Sequence, residues 1–294
     1  MKRYWMGLWF ACVCTLATWA VPASREPIVD ILDDGCKDTV FLHGDEYSSF
    51  RTKSKKKLQK GGSVFHAPQR TMLHSYMPSR GVVRVPVLLV NFADYSFTIE
   101  NPIEKFEDYF NGKGGSNPHA TGSVHDYYIA SSDSALDLQY EVVGIYTLSQ
   151  DMEYYGSNQT NSSGVTTNHN IHARELVEEV VELAAQKGVN FSRYDNDNDG
   201  YIDNISIIVA GYNEAEGAAE RTIWPHYSTI NNGKKYSGKS ISGYLITSEY
   251  RGSGGKVQAG IGTYCHEFGH ALGLPDLYDT SVSDNYTVGY WDIM

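Results

Sequence analysis

The sequence predicts an α+β domain, and three stretches carry that expectation. Val82 to Phe92 is nearly continuous Val and Leu, the composition of a strand buried on both faces. Ile171 to Lys187 sets Ala173, Leu176, Val177, Val180, Val181 and Ala184 at the spacing of one helical face, with Gly188 behind it as a stop. Ile205 to Ala210 is a second apolar run of strand length. Pro86 inside the first run cannot donate to a ladder and argues against one unbroken strand there. The glycine-rich, polar region from Gly211 to Gly255 reads as long surface loops with short strands. Helix, strand and loop alternate with no βαβ rhythm and no internal repeat, which favours α+β over a doubly wound sheet.

At 294 residues, 41% hydrophobic and 20% charged, the chain has the balance of a core-forming protein, in one large domain or two ordinary ones. A formal net charge of -11 argues against nucleic acid or an anionic membrane as partner, since either would reward clusters of Lys and Arg. The basic run Lys53-Ser54-Lys55-Lys56-Lys57 reads as a solvated linker or a processing site. Lys2 and Arg3, the apolar stretch Leu8 to Ala20 and the small residues after it predict a signal peptide over 1–23, and so a secreted protein. The apolar stretch falls short of the ~20 residues of a comfortable membrane span, so no anchor is expected. Removing the signal leaves Cys36 and Cys265 as the only thiols, too few for a disulfide scaffold. From Ser24 to Ser79 the chain is polar and cannot bury much core alone, which marks 24–79 as a pro-region and 80–294 as the catalytic domain.

The chemistry is concentrated in His266-Glu267-Phe268-Gly269-His270. Histidines four apart on a helix lie on one face about a turn from each other, an arrangement that binds zinc readily. Ile261, Cys265, Phe268 and Leu272 form a stripe that would pack on the core while the histidines face a cleft. Glu267 could then reach a metal-held water without being a ligand, and its role would be general base. Cys265 falls on the apolar stripe and reads as core, not nucleophile.

Gly273, Leu274, Pro275 and Asp276 stop the helix and turn the chain back, so that a side chain three residues beyond the glycine can return to the metal. This is the logic of the extended HExxHxxGxxH motif, with aspartate in the last place. From Ala271 to Met294 there is no Glu, His or Cys, so the third ligand falls to an aspartate. Asp276 has the spacing the glycine turn serves, and Asp279 is its rival. Met294, in Gly289-Tyr290-Trp291-Asp292-Ile293-Met294, has the position of a methionine turn beneath the metal.

Several segments together resemble the immune inhibitor A family of secreted bacterial metallopeptidases. They are His266 to Asp279, Gly260 to Cys265, Thr222 to His226, Tyr194 to Asp203 and Gly122 to Tyr128, and Leu42 to Tyr47 is similar to that family's pro-region. The resemblance implies a protein-degrading zinc enzyme with a metzincin-like catalytic domain built on a mixed twisted sheet, made as a precursor and acting on protein or peptide substrates. It also implies further chain beyond the position of Met294, where relatives continue. A zincin-fold adhesion module would be favoured by loss of the glutamate, yet Glu267 is present. A zinc hydrolase of non-peptide bonds is the other alternative, and only the resemblance favours peptides.

Asp195, Asp197 and Asp199 alternate ahead of Gly200, as at the start of a calcium loop of the EF-hand kind. Tyr201 would add a backbone carbonyl and Asp203 would close the shell, since Ser206 stands where that pattern wants glutamate. The expected role of calcium is structural. His226 reads as a packing or hydrogen-bonding residue. For latency, the pro-region offers two side chains able to displace the catalytic water, Cys36 and Asp45. Asp45 is the better choice, because Gly44 permits close approach and its cluster resembles the family's precursors.

Overall fold

The computed structural model describes residues 77–112, 122–164, 166–230, 232–277 and 292–294. The expected signal peptide, nearly all of the expected pro-region with Cys36 and Asp45, and the rival ligand Asp279 lie outside them.

The elements in chain order are β1 (Gly81–Asn91), α1 (Pro102–Asn111), α2 (Val124–Ser131), β2 (Leu136–Thr147), α3 (Met152–Gly156), β3 (Gln159–Thr160), β4 (Thr166–Asn168), α4 (Ala173–Gln186), β5 (Tyr201–Ile202), β6 (Ile205–Val209), β7 (His226–Thr229), β8 (Ser240–Ile241), β9 (Gly243–Ser248) and α5 (Ile261–Ala271). The main sheet is mixed. Its strand order is β2-β1-β6-β9-β7, the first four parallel and β7 antiparallel at the edge.

Alternation along the strands gives the sheet two apolar faces. Leu88, Val90, Ile205, Ile207, Val209, Tyr244 and Ile246 pack with α4 on one face. Val85, Val87, Leu89, Ile208 and Leu245 pack with α1, α2 and α5 on the other. The periodicity of α4 is met in full: Ala173, Leu176, Val177, Val180, Val181 and Ala184 are all buried, and Gly188 follows at φ 89. Burying side chains of this kind contributes about 1.5–3 kcal/mol each, which is what holds helix to sheet.

Two expectations need correction. β1 runs unbroken through Pro86, because pairing with β6 begins only at Val87 and the missing N–H costs no rung on that side. The register with β2 slips just after, between Val87 and Leu88, at a bulge. The region from Gly211 to Gly255 does hold the short strands expected of it, but β9 among them is no surface element: all six of its residues are buried, with strands on both sides. Its Gly, Tyr, Thr and Ser content conceals a central strand that periodicity alone does not reveal. Among the described residues no helix is long and apolar enough to cross a membrane.

Candidate metal centre

The helix that carries the histidines is positioned by its apolar side. Tyr264, Cys265, Phe268 and Ala271 are buried against the sheet, with Ile261 and Leu272 packed at the margin. Helix α2, capped by reciprocal hydrogen bonds between Ser123 and Asp126, brings Tyr128 against it, and the Tyr128 hydroxyl donates to the Cys265 carbonyl at 2.7 Å. With its stripe so held, α5 presents His266, Glu267 and His270 on the side facing β7.

The end of α5 is a Schellman turn. Leu272 caps the helix, Gly273 takes φ 88, its N–H reaches the His270 carbonyl at 2.8 Å, and the Leu274 N–H reaches the Gly269 carbonyl at 3.0 Å. Only glycine adopts that backbone without strain. The turn sends the chain back so that Asp276 Oδ1 stands 3.4 Å from His266 Nε2 and 3.3 Å from His270 Nε2.

Both imidazoles have a fixed orientation. His266 Nδ1 lies 2.7 Å from the Ile293 carbonyl, and His270 Nδ1 lies 2.8 Å from the Leu274 carbonyl. A carbonyl only accepts, so each Nδ1 carries the proton and each Nε2 offers its lone pair to the cleft. Four tetrahedral donors about 2.0–2.1 Å from zinc are separated by about 3.3 Å along each edge. The distances from Asp276 Oδ1 to the two nitrogens have that length, so these three residues could hold zinc.

Glu267 adjoins them. Its carboxylate falls in one cluster with the ligand atoms of His266 and His270, all within 4.8 Å of one another, and neither of its oxygens has a hydrogen-bond partner. Met294, the expected methionine-turn residue, is buried against the same helix, close enough to Gly269 that a β-carbon there would meet its Sδ at 2.5 Å. The Leu277 N–H ties this segment to the turn through the Met294 carbonyl at 2.9 Å.

Residues 83–294 match the sequence model of the family described as immune inhibitor A peptidase M6, catalytic domain. The chain belongs to the immune inhibitor A peptidase family. Among its relatives is a pre-pro-metalloprotease, PrtV, of Vibrio cholerae serotype O1, 31% identical over 211 residues, which are 63% of this chain and 22% of the relative. Immune inhibitor A of Bacillus thuringiensis subsp. alesti is 25% identical over 255 residues, 72% of this chain and 36% of the relative. The chain thus matches about a fifth to a third of the length of these relatives.

The electrostatics of this family member's centre reflect burial. Burial pushes the Glu267 carboxyl up to about 8, against the pull of His270 and with the help of Asp276. His270 is held above its ordinary value: burial draws it down, but the Asp276 carboxylate and the charge of Glu267 outweigh that. Each of these folded-state values lies above the unfolded one. The stability they contribute is therefore full at low pH and lost as pH rises, for Glu267 between 4.5 and about 8. Melting curves of the metal-free protein should show Tm falling across that window. Asp203, pushed by burial from 3.8 to about 6, slopes the same way, so Glu267→Gln is the control that isolates the centre. An unchanged slope in that variant would contradict the assignment.

The acidic loop is also brought together in part. Asp195, Asp197 and Asp199 offer carboxylate oxygens within 4.8 Å of one another. Asp195 Oδ2 accepts from Lys239 Nζ at 2.5 Å and from the Gly200 N–H at 3.2 Å. Asp203 is engaged otherwise, its Oδ2 accepting from the Asn196 backbone and side chain at 3.0 and 2.7 Å, while Tyr201 N–H donates to Asp199 at 2.8 Å. Asp195 Oδ1 and Asp203 Oδ1 are buried without a hydrogen-bond partner.

His226 lies on the far face of the sheet from α5. Its Nδ1 is 2.7 Å from the Trp224 carbonyl and its ring packs on Tyr244, while burial holds its pKa below the ordinary value. Sequence reasoning missed the carbonyls of Ile293 and Leu274 and the Tyr128 hydroxyl. The carbonyls leave no trace in residue identity, whereas the Tyr127-Tyr128 pair, next to a capping box, was a visible signal.

Proposed function

We propose that this chain is a zinc-dependent endopeptidase of metzincin kind, exported and made as a latent precursor. The observation that carries the reading is the triangle of His266 Nε2, His270 Nε2 and Asp276 Oδ1, with two edges of 3.4 and 3.3 Å. His266, His270 and Asp276 are its zinc ligands and Met294 its methionine turn.

When bound, zinc would supply Lewis acidity to the scissile carbonyl and to the attacking water. Glu267 takes the proton from the attacking water and returns it to the departing amine. Burial raises its carboxyl in the metal-free centre, and the charge of a bound zinc would draw it back towards the carboxylate form that a general base needs. The carbonyls of Ile293 and Leu274 hold the two imidazoles in place. β7 is an edge strand beside α5, with Tyr227 6.5 Å from His270 between ring centroids. An extended peptide added to that edge would pass its scissile bond over Glu267. Proteolysis that survives complete removal of metal would end the reading.

Calcium is proposed as a structural cation for the loop of Asp195, Asp197, Asp199, Tyr201 and Asp203. The buried, unpartnered oxygens of Asp195 and Asp203 support it. Calcium should raise Tm, and Asp197→Ala should erase the increment by removing a carboxylate; a wild-type melting curve indifferent to calcium would reduce the loop to a turn held by Lys239.

The relative described as a pre-pro-metalloprotease supports reading 1–23 as a signal peptide and 24–79 as a pro-region. Asp45 is the proposed latency residue. The Asp45→Ala precursor should cleave a test substrate prematurely while Cys36→Ala stays silent, and equal latency of both would make the inhibition steric.

A further inference from the structure

Ser206 is a polar residue in a strand that is otherwise Ile and Val, it is wholly buried, and its neighbours across the sheet are Val87 and Leu245. A hydroxyl in such a place costs stability unless it is hydrogen-bonded. Its partner is Tyr264 on the metal helix, oxygen to oxygen 2.6 Å. Tyr264 precedes His266 by two residues, and its ring is enclosed by Tyr109, Phe110, Tyr140 and Phe268. Beside this ring packing, the helix is tied to α2 by the Tyr128 hydroxyl on the Cys265 carbonyl. The Ser206 hydrogen bond adds a tie from the central strand against roll about the helix axis, and roll is what aims His266 and His270.

The same hydroxyl points the other way along the chain. Asn204, also buried, donates its side-chain amide to Ser206 Oγ at 3.3 Å, and Asn204 directly follows Asp203 of the acidic loop. In that loop Asp195, with a side chain only 1% exposed, keeps one oxygen without a hydrogen-bond partner, as does Asp203. Lys239 is the basic group found on the loop carboxylates, one positive charge against those of Asp195, Asp197, Asp199 and Asp203.

We propose that Ser206 and Tyr264 are positioning residues through which a divalent cation in the 195–203 loop stiffens the metal helix, so that filling the loop tightens zinc binding at His266, His270 and Asp276. The proposal rests on the zinc and calcium readings above. The cation fixes Asp203 and with it Asn204, Asn204 fixes the Ser206 hydroxyl, and Ser206 fixes Tyr264. Neither positioning residue touches substrate or metal.

The test measures zinc affinity of the full chain by competition with a chromophoric chelator, with and without calcium, beside melting curves in calcium. In the wild type, calcium should tighten zinc by about tenfold, a usual strength for coupling between sites. Ser206→Ala and Tyr264→Phe should keep the calcium-induced rise in Tm but lose the tightening. The double variant should do the same; it orphans neither hydroxyl of the pair, and its melting curve without calcium reads what the Asn204 amide, which loses its acceptor, costs the fold. Tightening that persists in the double variant would overturn the route, and so would zinc affinity lowered equally with and without calcium. A wild type whose melting responds to calcium but whose zinc affinity does not would overturn the coupling and leave the calcium reading standing. No melting response to calcium at all would sink that reading and the proposal with it.

Discussion

Replacing Glu267 with alanine should leave zinc bound and cut peptide hydrolysis by roughly 10²–10⁴-fold, the range a positioned general base contributes. The two results belong together because the proposed ligands and the proposed base are different side chains. His266, His270 and Asp276 meet at one point, while the Glu267 carboxylate lies beside them with both oxygens unengaged. Metal analysis and a casein digest on one preparation decide the matter. Loss of zinc along with activity would make Glu267 a ligand, and wild-type turnover would remove it from the mechanism.

Asp276→Ala should weaken zinc retention more than the roughly 10–100-fold that loss of an outer partner typically costs, whereas Asp279→Ala should change it little. The expectation rests on the Schellman turn at Gly273, which points Asp276 back at both imidazoles. Two imidazoles alone make a weak site for zinc, which takes three protein ligands in its catalytic sites. The comparison is read as the chelator concentration that strips half the zinc from each variant. The reverse order would hand the third position to Asp279.

How much of this was legible in the sequence depended on whether a side chain or the backbone carried the information. His266, Glu267 and His270 announce themselves by spacing, and Asp276 by its distance from a glycine whose position only a helix stop explains. The apolar faces of β1, β6 and α4 were readable because period and composition agreed. β9 was not, since Gly243, Tyr244, Thr247 and Ser248 owe their burial to strands on both sides and to no pattern of their own. The Ile293 and Leu274 carbonyls that orient the histidines were invisible, because every residue carries a carbonyl. Lys239 on Asp195 and Ser206 on Tyr264 are contacts between residues far apart in the chain, and a single sequence does not pair them.

The central claim is that peptide hydrolysis depends on zinc held by His266, His270 and Asp276. It is tested most directly by stripping the metal with a chelator and adding zinc back in measured steps while following bound zinc and proteolysis together. Both should vanish on stripping and return in parallel, reaching full activity at one zinc per centre, and Asp276→Ala should need far more zinc to recover. Hydrolysis that persists in the stripped protein, or returns without zinc at this centre, would contradict the account.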